Sequence, residues 1–191
     1  HRRGHALGVE AAGHGHRHAH GIRDAPQRLE GIPAPHLLVD LVVMRCSSEG
    51  RFLTRERHGE PLVLFDKTGR IRAEDLDRAE LREIVEHRLR RIRTLVPMFG
   101  DFVEKELRRG NDLGALANFH GFVLRPLVEL LGIRYCPERS DYGVRHVAND
   151  LPTEAVARLA GLWYVPDPTM LLDRCKDALE WIDETLVEIE S

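Results

Sequence analysis

The sequence predicts an α+β protein that is predominantly helical, with a short β segment followed by a bundle of about five helices. Three observations predict this class. Large apolar residues are scarce before residue 35, short β-branched and leucine-rich runs occur between residues 36 and 65, and apolar residues recur at helical spacing after residue 75. We therefore divide the chain into a tail over residues 1–34, which we expect to be disordered, a β segment over 35–74 and a helical bundle over 75–191.

Part of the tail is rich in histidine at every second position, namely His14, His16, His18 and His20. On an extended strand this spacing would place the imidazoles on one face, where they could capture Zn²⁺, Ni²⁺ or Cu²⁺. No neighbouring residue pattern would orient the rings, so we expect such binding to be adventitious. The Gly, Ala, Arg, His and Pro composition also arises when a GC-rich gene is read out of frame, and the sequence leaves open whether the tail is native.

Two apolar runs predict the β segment. Residues 36–44, HLLVDLVVM, have the composition of a largely buried strand with Asp40 in its middle. Residues 61–65, PLVLF, predict a second strand, which the turn formed by Asp66, Lys67, Thr68 and Gly69 would close.

The remaining chain predicts the helices. Residues 73–96 carry apolar side chains at i, i+3 and i+4, and Pro97 is expected to end that helix. A shorter helix stops at Gly110, and the apolar stretch 113–132 predicts a central helix with a kink at Pro126 and Gly132 as its C-terminal cap.

Two further helices follow an irregular stretch. The first begins near Thr153, a possible cap, and the last one closes the chain. The side of this last helix that faces the core is expected to consist of Leu171, Leu172, Leu179, Ile182 and Leu186.

The composition fits a cytoplasmic protein, with 42% hydrophobic residues, 31% charged residues and a net charge of -3. The widely separated cysteines, Cys46, Cys136 and Cys175, are expected to be reduced thiols. No apolar run approaches the roughly 20 residues that a bilayer requires, so no membrane partner is expected.

The basic run at residues 87–94 follows several glutamates and predicts a solvated helix face, not a nucleic-acid surface. A homo-oligomer stays possible.

The order of these features resembles a known family. A strand with a mid-strand Asp, a charged hairpin, a strand ending in LVLFDKTG and then a helical bundle is similar to the C-terminal part of nucleotidyltransferases of the polymerase β superfamily, particularly the aminoglycoside nucleotidyltransferase-like proteins. Residues 133–152, IRYCPERSDYGVRHVANDLP, look like the region that joins two bundle helices in such proteins. The resemblance covers about residues 36–190, and it makes the β segment a remnant of a nucleotidyltransferase-like domain.

The resemblance implies a metal-dependent reaction. Asp40 would be a metal carboxylate that helps to activate the attacking hydroxyl, with Mg²⁺ as cofactor. The reaction would transfer a nucleoside monophosphate from a nucleoside triphosphate to a hydroxyl of a small-molecule acceptor. The family's Gly-Ser and Asp-x-Asp pattern does not occur ahead of Asp40, so we expect this form to be incomplete or inactive.

The missing pattern has three explanations. The N-terminal portion is missing or misread, the protein is a degenerate relative, or another chain supplies the element. The alternative function, which needs no such element, is a non-catalytic helical module that binds the substrate or another protein.

Residues 137–146, PERSDYGVRH, supply further candidate site residues. Arg139 and Arg145 could clamp a phosphate, Asp141 could orient an amine of the substrate, and Tyr142 would lie in the same cleft. The alternative is a loop that internal Arg–Asp pairs hold in place. Asp66 and Lys67, at the turn that opens the helical domain, are candidates for substrate binding or for a structural role.

Overall fold

The computed structural model describes residues 53–191, which belong to two compact units, one that extends to Leu76 and one that spans Asp77–Ser191. Within residues 53–191 the chain forms eight α-helices, one π-helical turn and three 3-10 turns. The predicted predominance of helix is therefore confirmed. The predicted strand over residues 36–44, with Asp40, lies outside the described residues, as do the tail histidines.

In the first unit a short helix, α1 (Arg55–His58), precedes a stretch without regular secondary structure. Thr54 and Glu74 form an isolated parallel β-bridge, in which the Arg55 N–H donates to the Glu74 carbonyl at 2.9 Å. The predicted strand over residues 61–65 is wrong, because a strand needs a hydrogen-bonded neighbour and none of the described residues pairs with this run. Leu62 and Leu64 are 87% and 78% exposed as a result.

The second unit begins with the long amphipathic helix that the sequence predicts, α2 (Arg78–Phe99). Asp77 caps its first turn by accepting hydrogen bonds from two backbone N–H groups. The prediction that Pro97 ends this helix is wrong, because the helix continues to Phe99. Proline removes only one backbone donor near the end, and the Gly100 N–H donates to the Val96 carbonyl at 2.8 Å, so the helical pattern resumes.

Two short helices, α3 (Phe102–Arg108) and α4 (Asp112–Asn118), follow. Gly110 joins them with a φ of 71°, a left-handed conformation that favours glycine. The Asn111 side chain then caps α4 by accepting from the Gly114 N–H at 3.1 Å. The predicted stop at Gly110 is thus close to the observed end of α3.

The central helix of the bundle is continuous from α4 through a π-helical turn, Phe119–Leu124, into α5 (Arg125–Tyr135). In the π-helical turn the Arg125 N–H donates to the His120 carbonyl, five residues back. The turn ends where Pro126, which lacks a backbone N–H, was expected to disturb the helix. Side chains that are fully buried along this stretch form the middle of the core: Phe119, Val123, Leu124, Leu127, Leu130 and Leu131.

The predicted cap at Gly132 is wrong, because α5 runs past it to Tyr135. A side chain at Gly132 would collide with another part of the chain, since a methyl group there would lie 2.9 Å from the Ser140 Cα atom. Glycine is therefore required for a close backbone approach and not for a left-handed turn.

The same central stretch, Asp112–Tyr135, is the one helix in the described part that is long and apolar enough to cross a membrane. It has 24 residues, and 44% of its most apolar window is buried inside the protein. A core helix of a bundle has the same length and composition, so this feature alone assigns no membrane contact.

Three helices complete the unit: α6 (Val147–Asp150), α7 (Thr153–Trp163) and α8 (Leu171–Glu190). Thr153 is the first residue of α7 and makes no capping hydrogen bond with its side chain, so the capping role considered for it is wrong. Of the five side chains predicted to face inward on α8, Leu171 and Ile182 are buried and the others are half-buried. The core side of α8 also includes Cys175, Ala178, Trp181 and Thr185.

Candidate functional site

The connection between α5 and α7, residues 136–152, brings together most of the polar residues that the sequence singles out. Short 3-10 turns, Pro137–Arg139 and Gly143–His146, make up its first part, and α6 follows. Ser140 is buried against Gly132, and its hydroxyl donates to the Pro137 carbonyl at 3.0 Å. The connection therefore lies against the central helix, where the absence of a side chain at Gly132 makes room for it.

Arg139 is held within the connection itself. Its guanidinium donates two hydrogen bonds to the Asp150 carboxylate, at 3.1 Å from Nε and 2.5 Å from Nη2. Asp150 is only 9% exposed, and this contact keeps the pKa of Arg139 above its ordinary value. Such a bidentate pair fixes the shape of the connection, as the alternative of a loop held by internal Arg–Asp pairs anticipates.

Asp141 belongs to a second ion-pair network that reaches two helices. Its carboxylate lies 3.6 Å from Nη2 of Arg88 on α2, and Nη1 of Arg88 donates to Glu129 on α5 at 3.0 Å. Arg91, also on α2, donates to the other oxygen of Glu129 at 2.6 Å. The Arg88, Glu129 and Asp141 side chains are 23%, 15% and 20% exposed, so water screens these charges less than at an open surface.

The outer part of the connection presents two rings and a cation. The rings of Tyr142 and His146 lie 5.2 Å apart between centroids at an angle of 52°. Arg145 immediately precedes His146 and is exposed, and among the described residues no carboxylate forms an ion pair with it. Gly143, with a φ of 61°, turns the chain between the rings. Arg145 is thus the candidate cation of this segment that is available to an external anion.

The structure places Asp66 and Lys67 in the other unit, on the turn after the apolar run at residues 61–65. Asp66 accepts hydrogen bonds from the N–H groups of Thr68, Gly69 and Ile71 at 2.8–2.9 Å, and from the Thr68 hydroxyl at 2.9 Å. These bonds stabilise the charged carboxylate and lower its pKa to about 2. Asp66 therefore organises the turn, and Lys67 is exposed beside it.

Burial changes the pKa values of two described cysteines and one described histidine. Burial raises the pKa of Cys136 to about 11, aided by the Glu138 carboxylate that accepts from its thiol at 3.3 Å. Burial also raises the pKa of Cys175 to about 11, so both thiols are protonated at neutral pH and are poor nucleophiles. His120 lies against the Trp163 ring, 5.1 Å away, and burial lowers its pKa.

Residues 53–191 contain no cluster of three or more His, Cys, Asp or Glu side chains that could hold a metal ion. Asp66, a candidate substrate-binding residue, already uses both carboxylate oxygens for the turn. The described residues therefore do not fit Mg²⁺ coordination. Asp40, the predicted Mg²⁺ carboxylate, lies outside them.

The sequence pattern did not indicate Glu129, Arg88 or Arg91 as partners of the candidate segment. The basic residues of α2 predict only local ion pairs at i, i+3 and i, i+4, and Arg90 does form one with Glu86, four residues before it, at 3.6 Å. Arg88 and Arg91 instead reach Glu129, which is 41 residues beyond Arg88. The available signal was Glu129 itself, since an acidic residue in the middle of an apolar helix requires a partner.

Comparison with known proteins gives no relative from which a role could be transferred. No family model matches the chain, and no characterised protein or solved structure is significantly similar to it.

Proposed function

We propose that the helical unit binds a nucleotide through the connection between α5 and α7, as the non-catalytic ligand-binding part of a nucleotidyltransferase-like protein. The observation that carries this proposal is the exposed Arg145 in the same short segment as the half-buried Tyr142 and His146 rings. A guanidinium can donate two parallel hydrogen bonds to a phosphate, and an aromatic ring can stack on a base. A nucleoside triphosphate offers both groups in one molecule.

The other charged residues of the connection support this assignment by their internal pairs. Arg139 is committed to Asp150, and Asp141 lies against Arg88. These contacts hold the backbone of the connection in one shape, so that the proposed binding groups need little ordering when a ligand binds. The segment also joins two bundle helices, the place that the resemblance gives to the corresponding region of such proteins.

The described residues provide no metal site, so we assign no transfer step to them. Transfer of a nucleoside monophosphate to an acceptor hydroxyl would require Asp40 and Mg²⁺, together with an Asp-x-Asp pair of carboxylates, a pattern that does not occur ahead of Asp40. The remainder of the proposed β domain, including a strand over residues 36–44, belongs to the same proposal.

Calorimetric titration of the whole chain with MgATP, and separately with MgGTP, tests the proposal. We expect saturable binding in about the micromolar range and a loss of about tenfold or more in Arg145→Ala, because a charge-assisted contact to phosphate is removed. Arg125→Ala is the matched control, because Arg125 is also exposed but begins α5, about 15 Å of helix before the connection. Its affinity should match that of the unmodified protein.

Asp40→Ala distinguishes binding by the helical unit from binding at a metal site. We expect MgATP affinity to survive this substitution if the connection is the site, whereas its loss would favour the two-metal chemistry implied by the resemblance. Absence of binding to both nucleotides would contradict the proposal and would favour a protein-interaction module instead.

A further inference from the structure

We infer that Arg88 is a positioning residue, which holds the ligand-binding part of the connection against the bundle. Its guanidinium contacts carboxylates from two separate elements, Glu129 on α5 at 3.0 Å and Asp141 in the connection at 3.6 Å. One side chain on α2 thereby links the central helix to the segment that carries Tyr142. The identity of the ligand rests on the proposed function. The contact between Arg88 and Asp141 does not depend on it.

The geometry suits arginine better than lysine. The planar guanidinium carries N–H groups at fixed angles to one another. Nη1 can therefore donate to Glu129 while Nη2 lies near Asp141. A lysine ammonium is a single point charge on a flexible stem and would favour one of these carboxylates. Because all three side chains are less than a quarter exposed, the contacts are weakly screened by solvent.

Displacement of Asp141 would move the proposed binding groups. Asp141 directly precedes Tyr142, and Gly143 then turns the chain toward Arg145 and His146. Two other anchors do not involve Arg88, namely the pair between Arg139 and Asp150 and the approach of Ser140 to Gly132. Loss of Arg88 should therefore loosen residues 141–146 without unfolding the connection.

Arg91 provides a matched control on the same helix. It donates to Glu129 at 2.6 Å, as Arg88 does at 3.0 Å, and its ion pair is with Glu129 and not with Asp141. Arg88→Met and Arg91→Met each remove one cation from α2 and one hydrogen bond from Glu129. Only the former removes the ion pair with the connection, so a difference between the two variants isolates that contact.

Amide hydrogen exchange of the whole chain without ligand tests the contact directly. We expect exchange of residues 141–146 to accelerate by about tenfold in Arg88→Met, to change by less than about twofold in Arg91→Met and to be intermediate in Arg88→Lys. Melting temperatures, measured on the same samples, check that the variants remain folded. Equal exchange in this segment for Arg88→Met and Arg91→Met would overturn the inference.

MgATP titration of the same variants tests the consequence for binding. We expect Arg88→Met to weaken affinity by about tenfold, Arg91→Met to leave it unchanged, and Asp141→Asn combined with Arg88→Met to add little further loss. If the unmodified protein does not bind MgATP, the proposed ligand is wrong, and the exchange experiment still decides the role of Arg88. Undiminished binding by Arg88→Met in a protein that binds MgATP would overturn the positioning role.

Discussion

At the scale of single residues, the same amino acid type has different roles that its immediate sequence does not distinguish. Arg139 and Arg145 are both candidate phosphate ligands in one short segment, yet Arg139 is bonded to Asp150 and Arg145 is exposed. Asp66 is a candidate for substrate binding in the sequence, but its oxygens complete a turn. The residue types could be predicted from the sequence, whereas the partner of each one required the fold.

The turn around Asp66 gives a pH prediction. Its folded-state pKa of about 2 lies below the ordinary value of 3.8, so the stabilisation by the charged carboxylate is complete above pH 3.8 and is lost as the pH falls toward 2. We expect the Ile71 amide resonance, whose N–H donates to Asp66, to titrate with a midpoint near 2 in an NMR experiment. Asp66→Asn should abolish this transition, and a midpoint near the ordinary value would contradict the bonding described here.

At the scale of elements, apolar periodicity predicted the helices well and glycine and proline predicted their ends poorly. The five expected helices are all present. Apolar residues spaced at i, i+3 and i+4 come together on one face only when the segment is helical. Pro97 lies inside α2 and Gly132 lies inside α5, since tertiary contacts decide how such residues are used. The run at residues 61–65 has the composition of a strand, but no described residue pairs with it. Local composition does not show whether a partner strand is present.

Gly132 gives a prediction that separates close packing from helix propensity. Alanine normally favours a helix over glycine by about 1 kcal/mol. At Gly132 a methyl group would lie 2.9 Å from the Ser140 Cα atom, a backbone atom that must shift, and overpacking of this kind costs about 1–3 kcal/mol. We therefore expect Gly132→Ala to lower the free energy of unfolding, measured by denaturant titration.

The matched control is Gly161→Ala in α7, where an added methyl group meets nothing within 4 Å. At Gly161 only the higher helix propensity of alanine acts, so we expect the free energy of unfolding to rise by about 0.5–1 kcal/mol. A stabilising effect at both positions would mean that the connection does not lie as close to α5 as described.

At the scale of the whole molecule, the order of elements is a consequence of sequence pattern, whereas the candidate site depends on contacts between distant segments. Residues near 88, 129 and 141 meet because α2 and α5 pack in one bundle and the connection follows α5. A pattern of local spacing contains no information on such pairs. The polarity of the connection made it a candidate site and an internal Arg–Asp pair was anticipated, whereas the contact of Asp141 with Arg88 on α2 could not be predicted from local spacing.

The central claim is that the connection between α5 and α7 is the place where a nucleotide binds. Mapping of backbone amide shifts by NMR during titration of the whole chain with MgATP tests this most directly, because it locates the ligand. We predict that the shifts concentrate at Tyr142, Gly143, Arg145 and His146 and saturate together. Saturating shifts confined to other elements, such as α2 or α8, or no shifts at all, would contradict it.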